Sequence, residues 1–245
     1  LPYSTRLFFD LLIFGVQAIG LSAQGLADLE YSTIEVDVLL DRARSAVSDA
    51  NKYDLSKKCL AIARDLRYDG GIVRASILLC EVCARTNRTE EALQYYLEAE
   101  EKLNPGGISN PLVLDKSALL EVYTGLGDLF FQEKLYDYAG RYYQRVLALE
   151  PKDYVNMEKA GDACLLDARY DSAEVIYKGL IRYYKSQGNY PRLVKTYQKL
   201  ANAYSEHGNP SKGLFYYLAI EEIIEYNGYP EERAVMYNNM GKQYA

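Results

Sequence analysis

Apolar residues recur every three or four positions along most of the chain, with polar residues in the intervals. Leu119, Val122, Leu126 and Phe130 fall on one stripe of a helix with about 3.6 residues per turn. No segment shows the sustained alternation that is typical of a strand. The segment 104–112 is rich in proline and glycine, which marks it as an inserted loop. The pattern predicts an all-α chain.

Residue types also repeat at fixed spacing. Pairs of residues 34 positions apart are Gly127 and Gly161, Ala139 and Ala173, and Tyr143 and Tyr177. The next members lie 40 positions further on, and are Ala201, Gly213, Tyr217 and finally Gly241. Upstream, the corresponding residues are shifted by 47 positions, which the loop 104–112 explains. The chain is therefore predicted to be an array of similar units.

Each unit is interpreted as two antiparallel helices, A followed by B. Small residues are expected to let the two backbones approach closely, and large ones to fill the space between neighbouring hairpins. No hairpin can bury its apolar face alone, so neighbours must stack. The predicted repeat-packing residues are Tyr123, Gly127, Ala139, Tyr143, Gly161, Ala173, Tyr177, Ala201, Gly213, Tyr217 and Gly241.

These residues resemble the tetratricopeptide repeat (TPR) pattern. The matching positions are Tyr123, where tryptophan is usual, then Leu126, Gly127, Phe130, Ala139, Tyr143 and Pro151. The resemblance covers residues 37 to 245 and is strongest from 117 to 220. Arg44 and Cys80 replace the glycine in the first two units, and Lys185 replaces the proline in the fourth. The resemblance implies a right-handed superhelical solenoid of antiparallel helix hairpins that binds a protein or peptide.

The TPR array is assigned to residues 25–245. Its units are expected near 37–68, 73–104, 117–153, 154–193, 194–232 and, truncated, 234–245.

The chain has no initiator methionine and stops inside a helical pattern, so we expect it to be part of a longer protein. The spacing of 40 residues and the Tyr-Tyr pairs also resemble exported repeat regions of bacterial sensor kinases and membrane-bound regulators.

Residues 1–24 differ from the array. Arg6 precedes a short apolar run, and small residues end the segment at Ala23, as in a secretory signal peptide. Cleavage after Ala23 would make the protein periplasmic or secreted. Asp10 interrupts the run, and the alternative is an N-terminal helix that packs on the array of a cytoplasmic protein.

Composition, charge and motifs exclude several classes of function. The net charge of -6 and the absence of a long basic run argue against nucleic-acid binding. With His207 as the only histidine, no two-histidine metal site can form, and the four cysteines are interpreted as buried core residues. The sequence contains no nucleophile, phosphate-loop or zinc motif. The paired glutamates are read as solvated faces. No catalytic, metal or cofactor site is predicted, and the chain is not expected to be an enzyme.

In TPR-like arrays the A helices line the concave side, where a partner binds. The predicted partner-binding residues are Asp128, Phe131, Gln132, Asp162, Leu165, Leu166, Gln198, Asn202 and Asn238. Phe131, Leu165 and Leu166 are interpreted as an apolar docking strip for a peptide or helix. Thr124 and Asp128 stand where chaperone-binding repeats clamp a carboxylate, and Asp128 would repel one.

The sequence is compatible with three functions. The first is a periplasmic sensing or interaction region of a longer bacterial protein, with a membrane anchor possible further along that protein. The second is a secreted or periplasmic assembly scaffold. The third is a cytosolic peptide-pheromone receptor. All three bind a protein or peptide, and in none do the repeats themselves bind a membrane or require a cofactor.

Overall fold

A computed structural model describes residues 23–105, 115–227, 237, 238 and 241. This part of the chain is helical, with no strand among the described residues. The helices are α1 Ala23–Arg44, α2 Asp49–Asp65, α3 Asp69–Arg85, α4 Thr89–Leu103, α5 Lys116–Gln132, α6 Tyr136–Leu149, α7 Tyr154–Leu166, α8 Tyr170–Ser186, α9 Tyr190–Glu206 and α10 Pro210–Asn227. The predicted all-α class is confirmed.

Several predicted features lie partly or wholly outside the described residues. The signal segment 1–24 is described only at Ala23 and Gln24, which begin α1. The inserted loop 104–112 is described only at Asn104 and Pro105. In the truncated unit 234–245, only residues 237, 238 and 241 are described. The helix α1 begins well before position 37, where the first unit was predicted to start.

The chain divides into two compact units, Leu1–Val122 and Tyr123–Ala245, with the boundary inside α5. In the first unit, α1 packs against α2, α2 against α3 and α3 against α4, and α1 also packs against α3. The helix α3 is buried on most sides, which its nearly continuous apolar sequence explains. Cys59, Cys80 and Cys83 are fully buried in this unit, as the sequence predicts for core cysteines.

In the second unit, each helix from α6 to α10 packs against the next. A small core cluster joins α6 and α7 and contains Ala139, Tyr143, Ala160 and Ala163. A larger cluster joins α7 to α10 and is built mainly from Tyr, Leu and Ile. In both clusters, side chains of one hairpin pack with those of the next, which is the packing expected of stacked repeats.

Three-residue turns connect most consecutive helices, and their middle residue adopts a left-handed conformation. The residues with positive φ are Arg67, Asn87, Lys134, Ala168, Gly188 and Gly208. In each turn, the third residue donates its backbone N–H to a carbonyl five positions earlier, as Arg169 does to Cys164 at 2.8 Å. This bond closes the end of the preceding helix and reverses the chain direction. Such short links make consecutive helices antiparallel.

The repeat-packing residues other than Gly241 are buried, but Gly127 and Gly161 act differently from the sequence interpretation. A Cβ atom on Gly127 would lie 2.5 Å from the ring of Tyr143, and one on Gly161 would lie 2.8 Å from the ring of Tyr177. These glycines make room for a tyrosine ring of the B helix in the same hairpin. Tyr143 and Tyr177 also belong to core clusters that include a helix of the next hairpin, so these rings fill space both within a hairpin and between hairpins.

The third hairpin of this unit exchanges the two small residues. Ala201 occupies the A-helix position, and Gly213 occupies the B-helix position that alanine holds in the preceding hairpins. A Cβ on Gly213 would lie 2.0 Å from Ser205 Oγ and 3.0 Å from the Ala201 carbonyl oxygen, so here the two backbones do approach closely. Among the described residues, nothing lies within 4 Å of a Cβ built on Gly241, which is exposed. No packing role is supported for it.

The remaining predicted packing residues are in the core. Ala139, Ala173 and Ala201 are fully buried, and so is Tyr217. Tyr123 is 5% exposed, and its ring centroid lies 6.0 Å from that of Tyr142 on α6. The tyrosine of each B helix is thus a core residue, in spite of its polar hydroxyl.

One buried carboxylate joins α8, α9 and α10. Glu174 accepts hydrogen bonds from Tyr204 Oη at 2.7 Å, Tyr216 Oη at 2.6 Å and Lys212 Nζ at 2.5 Å. Lys178 Nζ lies 3.0 Å from the same carboxylate. Burial alone would raise the pKa of Glu174, but these four donors outweigh it and lower the pKa to about 2. The group is therefore a charged structural link at neutral pH.

Candidate protein-binding face

The A helices of the second unit carry most of the predicted partner-binding residues. Asp153 caps the start of α7 by accepting from the backbone N–H of Asn156 at 3.0 Å. Asn189 caps α9 by accepting from the backbone N–H of Arg192 at 3.3 Å, and Pro191 lies in the first turn. These caps fix where each helix starts, and therefore which residues face the same side.

The first polar group on this face centres on Asp128 of α5. Its carboxylate accepts from Tyr143 Oη of α6 at 2.8 Å. It also accepts from Lys159 Nζ of α7 at 2.7 and 2.8 Å. We call this arrangement an acid–tyrosine–lysine set. Because Lys159 neutralises Asp128, the negative charge of Asp128 is not free to repel the carboxylate of a partner. This differs from the expectation from the sequence.

A second acid–tyrosine–lysine set centres on Asp162 of α7. Tyr177 of α8 donates its hydroxyl to this carboxylate. Lys199 of α9 donates to it at 2.6 and 2.8 Å, and also to Glu158 at 3.0 Å. Each set therefore spans the A and B helices of one hairpin and the A helix of the next.

The third hairpin retains the tyrosine contact with a neutral acceptor. Tyr217 of α10 donates to Asn202 Oδ1 of α9 at 2.5 Å. The tyrosine follows its acceptor by 15 residues in all three hairpins. The acceptor directly follows the small residue Gly127, Gly161 or Ala201 in the sequence. In the first two hairpins the tyrosine ring lies against that glycine, and its hydroxyl reaches the side chain that follows.

The electrostatics keep these sets intact near neutral pH. Burial, followed by the charge of the neighbouring aspartate, raises the pKa of Tyr143 and of Tyr177, so both hydroxyls stay protonated and donate. Burial opposes the charged form of Lys199, but Asp162 and Glu158 outweigh it and raise its pKa. The lysine therefore remains charged, and each set has little charge left for a partner.

The predicted docking strip is not a continuous exposed surface. Phe131 is half-buried, packs on the cluster of α6 and α7, and lies 5.4 Å from the ring of Tyr136. Leu165 is half-buried and packs on the cluster of α7 to α10. Two different core clusters thus hold these side chains. Of the three apolar residues, only Leu166 is well exposed, at 53%.

The other predicted partner-binding residues are on the surface. Gln132 and Asn238 are exposed, and Gln198 is half-buried. Tyr237, next to Asn238, donates its hydroxyl to Glu221. The described contacts do not bring Asn238 together with the residues on α5, α7 and α9.

Sequence reasoning missed the two lysines that complete the sets. Lys159 and Lys199 are 40 positions apart, the same spacing that relates Gly161 to Ala201. This spacing indicates that the two lysines occupy equivalent positions in successive repeats. It does not identify their partners, because each lysine contacts the preceding hairpin and repeat spacing alone does not specify contacts between hairpins.

Within the described part of the chain there is neither a candidate metal-binding group nor a candidate membrane-spanning helix. Its His, Cys, Asp and Glu side chains form no group of three that would suit a metal ion. None of its helices combines the length and apolar character needed to cross a bilayer. The sequence-based expectation that the chain is not an enzyme stays a prediction.

Comparisons with known proteins identify the fold. No protein-family model and no curated protein matches the chain. Among solved structures, MamA AMB-1 aligns with a TM-score of 0.51 and 16% identity, covering 78% of this chain and 98% of its own. BtubC from P. vanneervenii aligns with a TM-score of 0.51 and 15% identity, covering 88% of this chain and 83% of its own.

At such low identity these likenesses concern the fold alone. Both neighbours are TPR-like proteins, which agrees with the consecutive helix hairpins described above. The protein therefore has the tetratricopeptide-repeat type of fold, an all-α solenoid of antiparallel helix hairpins. That part of the sequence interpretation is confirmed.

Proposed function

We propose that the protein is a binding module for another protein or peptide, and that the A-helix face of the second unit is its binding surface. The observation that carries this proposal is the pair of acid–tyrosine–lysine sets. They fix the A helices α5, α7 and α9 relative to one another through charged hydrogen bonds. A surface that is already rigid loses little conformational freedom when a partner docks, which favours recognition.

The exposed residues on this face suit a peptide segment better than a small molecule. Val155 and Leu166 of α7 are 64% and 53% exposed and lie three helical turns apart, on the same side as Asp162. Exposed Gln132 of α5 and Lys195 of α9 add polar groups. Apolar contacts with polar groups around them are typical of grooves that hold an extended or helical segment.

A matched pair of substitutions tests this surface. Peptides selected from a displayed random library on the intact protein provide the ligand, and their affinity is then measured for two variants. Leu166→Asp places a charge on the proposed face, and Val175→Asp places one on α8, where the valine is 70% exposed. We expect the first variant to weaken binding about tenfold, as for a central interface residue, and the second to leave it unchanged. Equal affinities for both variants would reject the proposed face.

We also propose that the module belongs to a longer bacterial protein and works in the periplasm as its sensing or interaction region. The signal-like segment that ends at Ala23 supports this location. A secreted or periplasmic scaffold and a cytosolic peptide-pheromone receptor are the alternative functions. N-terminal sequencing of the protein purified from its source distinguishes them: a mature chain that starts at Gln24 supports export, and retention of residues 1–23 in a cytosolic protein contradicts it.

A further inference from the structure

A cleft opens where α7 begins, α8 ends and α9 begins. Its volume is about 420 Å³, within the range typical of ligand sites. The lining that matters for its chemistry consists of Tyr154, Tyr183, Tyr184, Gln187, Asn189 and Arg192. This cleft is formed by the ends of the helices, and it contains none of the residues that were predicted to bind a partner.

Aromatic rings form the apolar part of the cleft. Tyr154 and Tyr183 are stacked, with centroids 3.4 Å apart and an interplanar angle of 10°. The ring of Tyr184 is buried beside them, 5.4 Å from that of Tyr183. Packing against the core cluster holds Tyr154 and Tyr183 in place. The cleft therefore offers fixed aromatic surfaces.

The polar groups of the cleft are mainly donors. Arg192 is 58% exposed, and its guanidinium reaches Glu158 at 3.3 Å and Tyr184 Oη at 3.5 Å, so it contacts fewer acceptors than it has N–H groups. Asn189 Oδ1 already accepts the backbone N–H of Arg192. Within the described residues, no carboxylate lines the cleft. By side-chain type the cleft therefore has more donor N–H and O–H groups than acceptors, which are the tyrosine hydroxyl oxygens, Gln187 Oε1 and the already engaged Asn189 Oδ1.

We propose that this cleft binds an extended, proline-rich peptide segment. Proline rings are compact, restrict the backbone, and pack well in grooves lined by aromatic side chains. A proline residue has a carbonyl acceptor but no N–H donor, so a proline-rich segment matches a site with surplus donors and few acceptors. Such a segment is already extended before binding, which lowers the entropy cost of docking. Val155 of the A-helix face also lines the cleft, whereas Leu166 lies three helical turns away and is not part of its lining, so Leu166→Asp affects only the A-helix face.

Fluorescently labelled octaproline tests the proposal, with a glycine-serine octapeptide as the matched non-proline probe. Fluorescence anisotropy with the intact protein is expected to show saturable binding of octaproline only. Tyr183→Ala should weaken it at least about tenfold, as for an aromatic hot spot. Arg192→Gln, at an exposed position that leaves the core packed, should weaken it about fivefold, the worth of one hydrogen bond. Tyr226→Ala is the control, since Tyr226 is 92% exposed on α10.

Several outcomes would overturn the proposal. They are no binding of octaproline by the intact protein, equal binding of both octapeptides, and undiminished binding by Arg192→Gln. If Tyr183→Ala fails to fold, as judged by circular dichroism, the Arg192→Gln result decides. The Leu166→Asp variant should bind octaproline normally, so a failure of the A-helix face is distinguishable from a failure of the cleft.

Discussion

The buried carboxylate of Glu174 should make the stability of the second unit depend on pH in the acid range. Its pKa falls from the ordinary value of 4.5 to about 2 because donors on α8, α9 and α10 surround it. The side chain is only 12% exposed, so solvent screens these interactions little. The fall corresponds to about 3 kcal/mol of stabilisation at neutral pH.

The lowered pKa fixes the direction of the effect. Folding favours the ionised form, so this stabilisation is complete above pH 4.5 and is lost as the pH falls towards 2. For these two pKa values, linkage leaves about 1.5 kcal/mol at pH 3. The Glu174→Gln variant removes the charge and keeps a carbonyl acceptor for the two tyrosines. It should therefore be less stable than the natural protein by about 3 kcal/mol at pH 7 and by about half of that at pH 3.

Urea unfolding followed by far-UV circular dichroism at both pH values measures the difference. Midpoints are the quantity to compare, because stacked repeats need not unfold in two states. Glu222→Gln is the control, since Glu222 is exposed on α10 and its replacement should shift neither midpoint. An unchanged midpoint at pH 7, or an equal loss at pH 3 and pH 7, would refute the assignment of the effect to the charge of Glu174.

Three further predictions concern stability and are measured by chemical denaturation. Tyr177→Phe removes the hydroxyl that donates to Asp162 and should cost about 1.5–3 kcal/mol; stability equal to that of the natural protein would contradict the role of this bond. Ala168→Gly should stabilise by up to about 1 kcal/mol, because Ala168 has a positive φ of 57°, whereas Gly208→Ala should destabilise by about 1 kcal/mol; opposite signs would exclude left-handed strain as the cause. Ser76→Ala should stabilise by about 1 kcal/mol, because the buried Ser76 Oγ has no hydrogen-bond partner among the described residues, and a loss of stability would indicate that it has one.

The features that the sequence predicts well are those set by local periodicity. Apolar stripes predict the helices because burial of one face repeats every 3.6 residues. The spacing of Gly127, Ala139 and Tyr143 predicts the hairpins because each unit repeats the same internal packing. Burial of the cysteines follows from their helical positions among apolar neighbours.

The features that the sequence does not predict depend on how far side chains reach between helices. The A-helix position of Phe131 and Leu165 is read correctly from the repeat, but their packing on core clusters depends on side-chain direction and on the neighbouring hairpin. The ion pair of Lys159 is likewise not predictable from the repeat, because its partner Asp128 is on another hairpin. Periodicity specifies a face of a helix and leaves open what that face touches.

The sharing of Asp162 among three helices has a dynamic consequence. Separation of α9 from α7 would remove both lysine contacts of this carboxylate and leave it next to the buried ring of Tyr177. Opening of one hairpin therefore weakens the closure of the one before it. Backbone amides of α7, α8 and α9 should exchange their protons with solvent as one cooperative block, on a slower timescale than the turns that connect them.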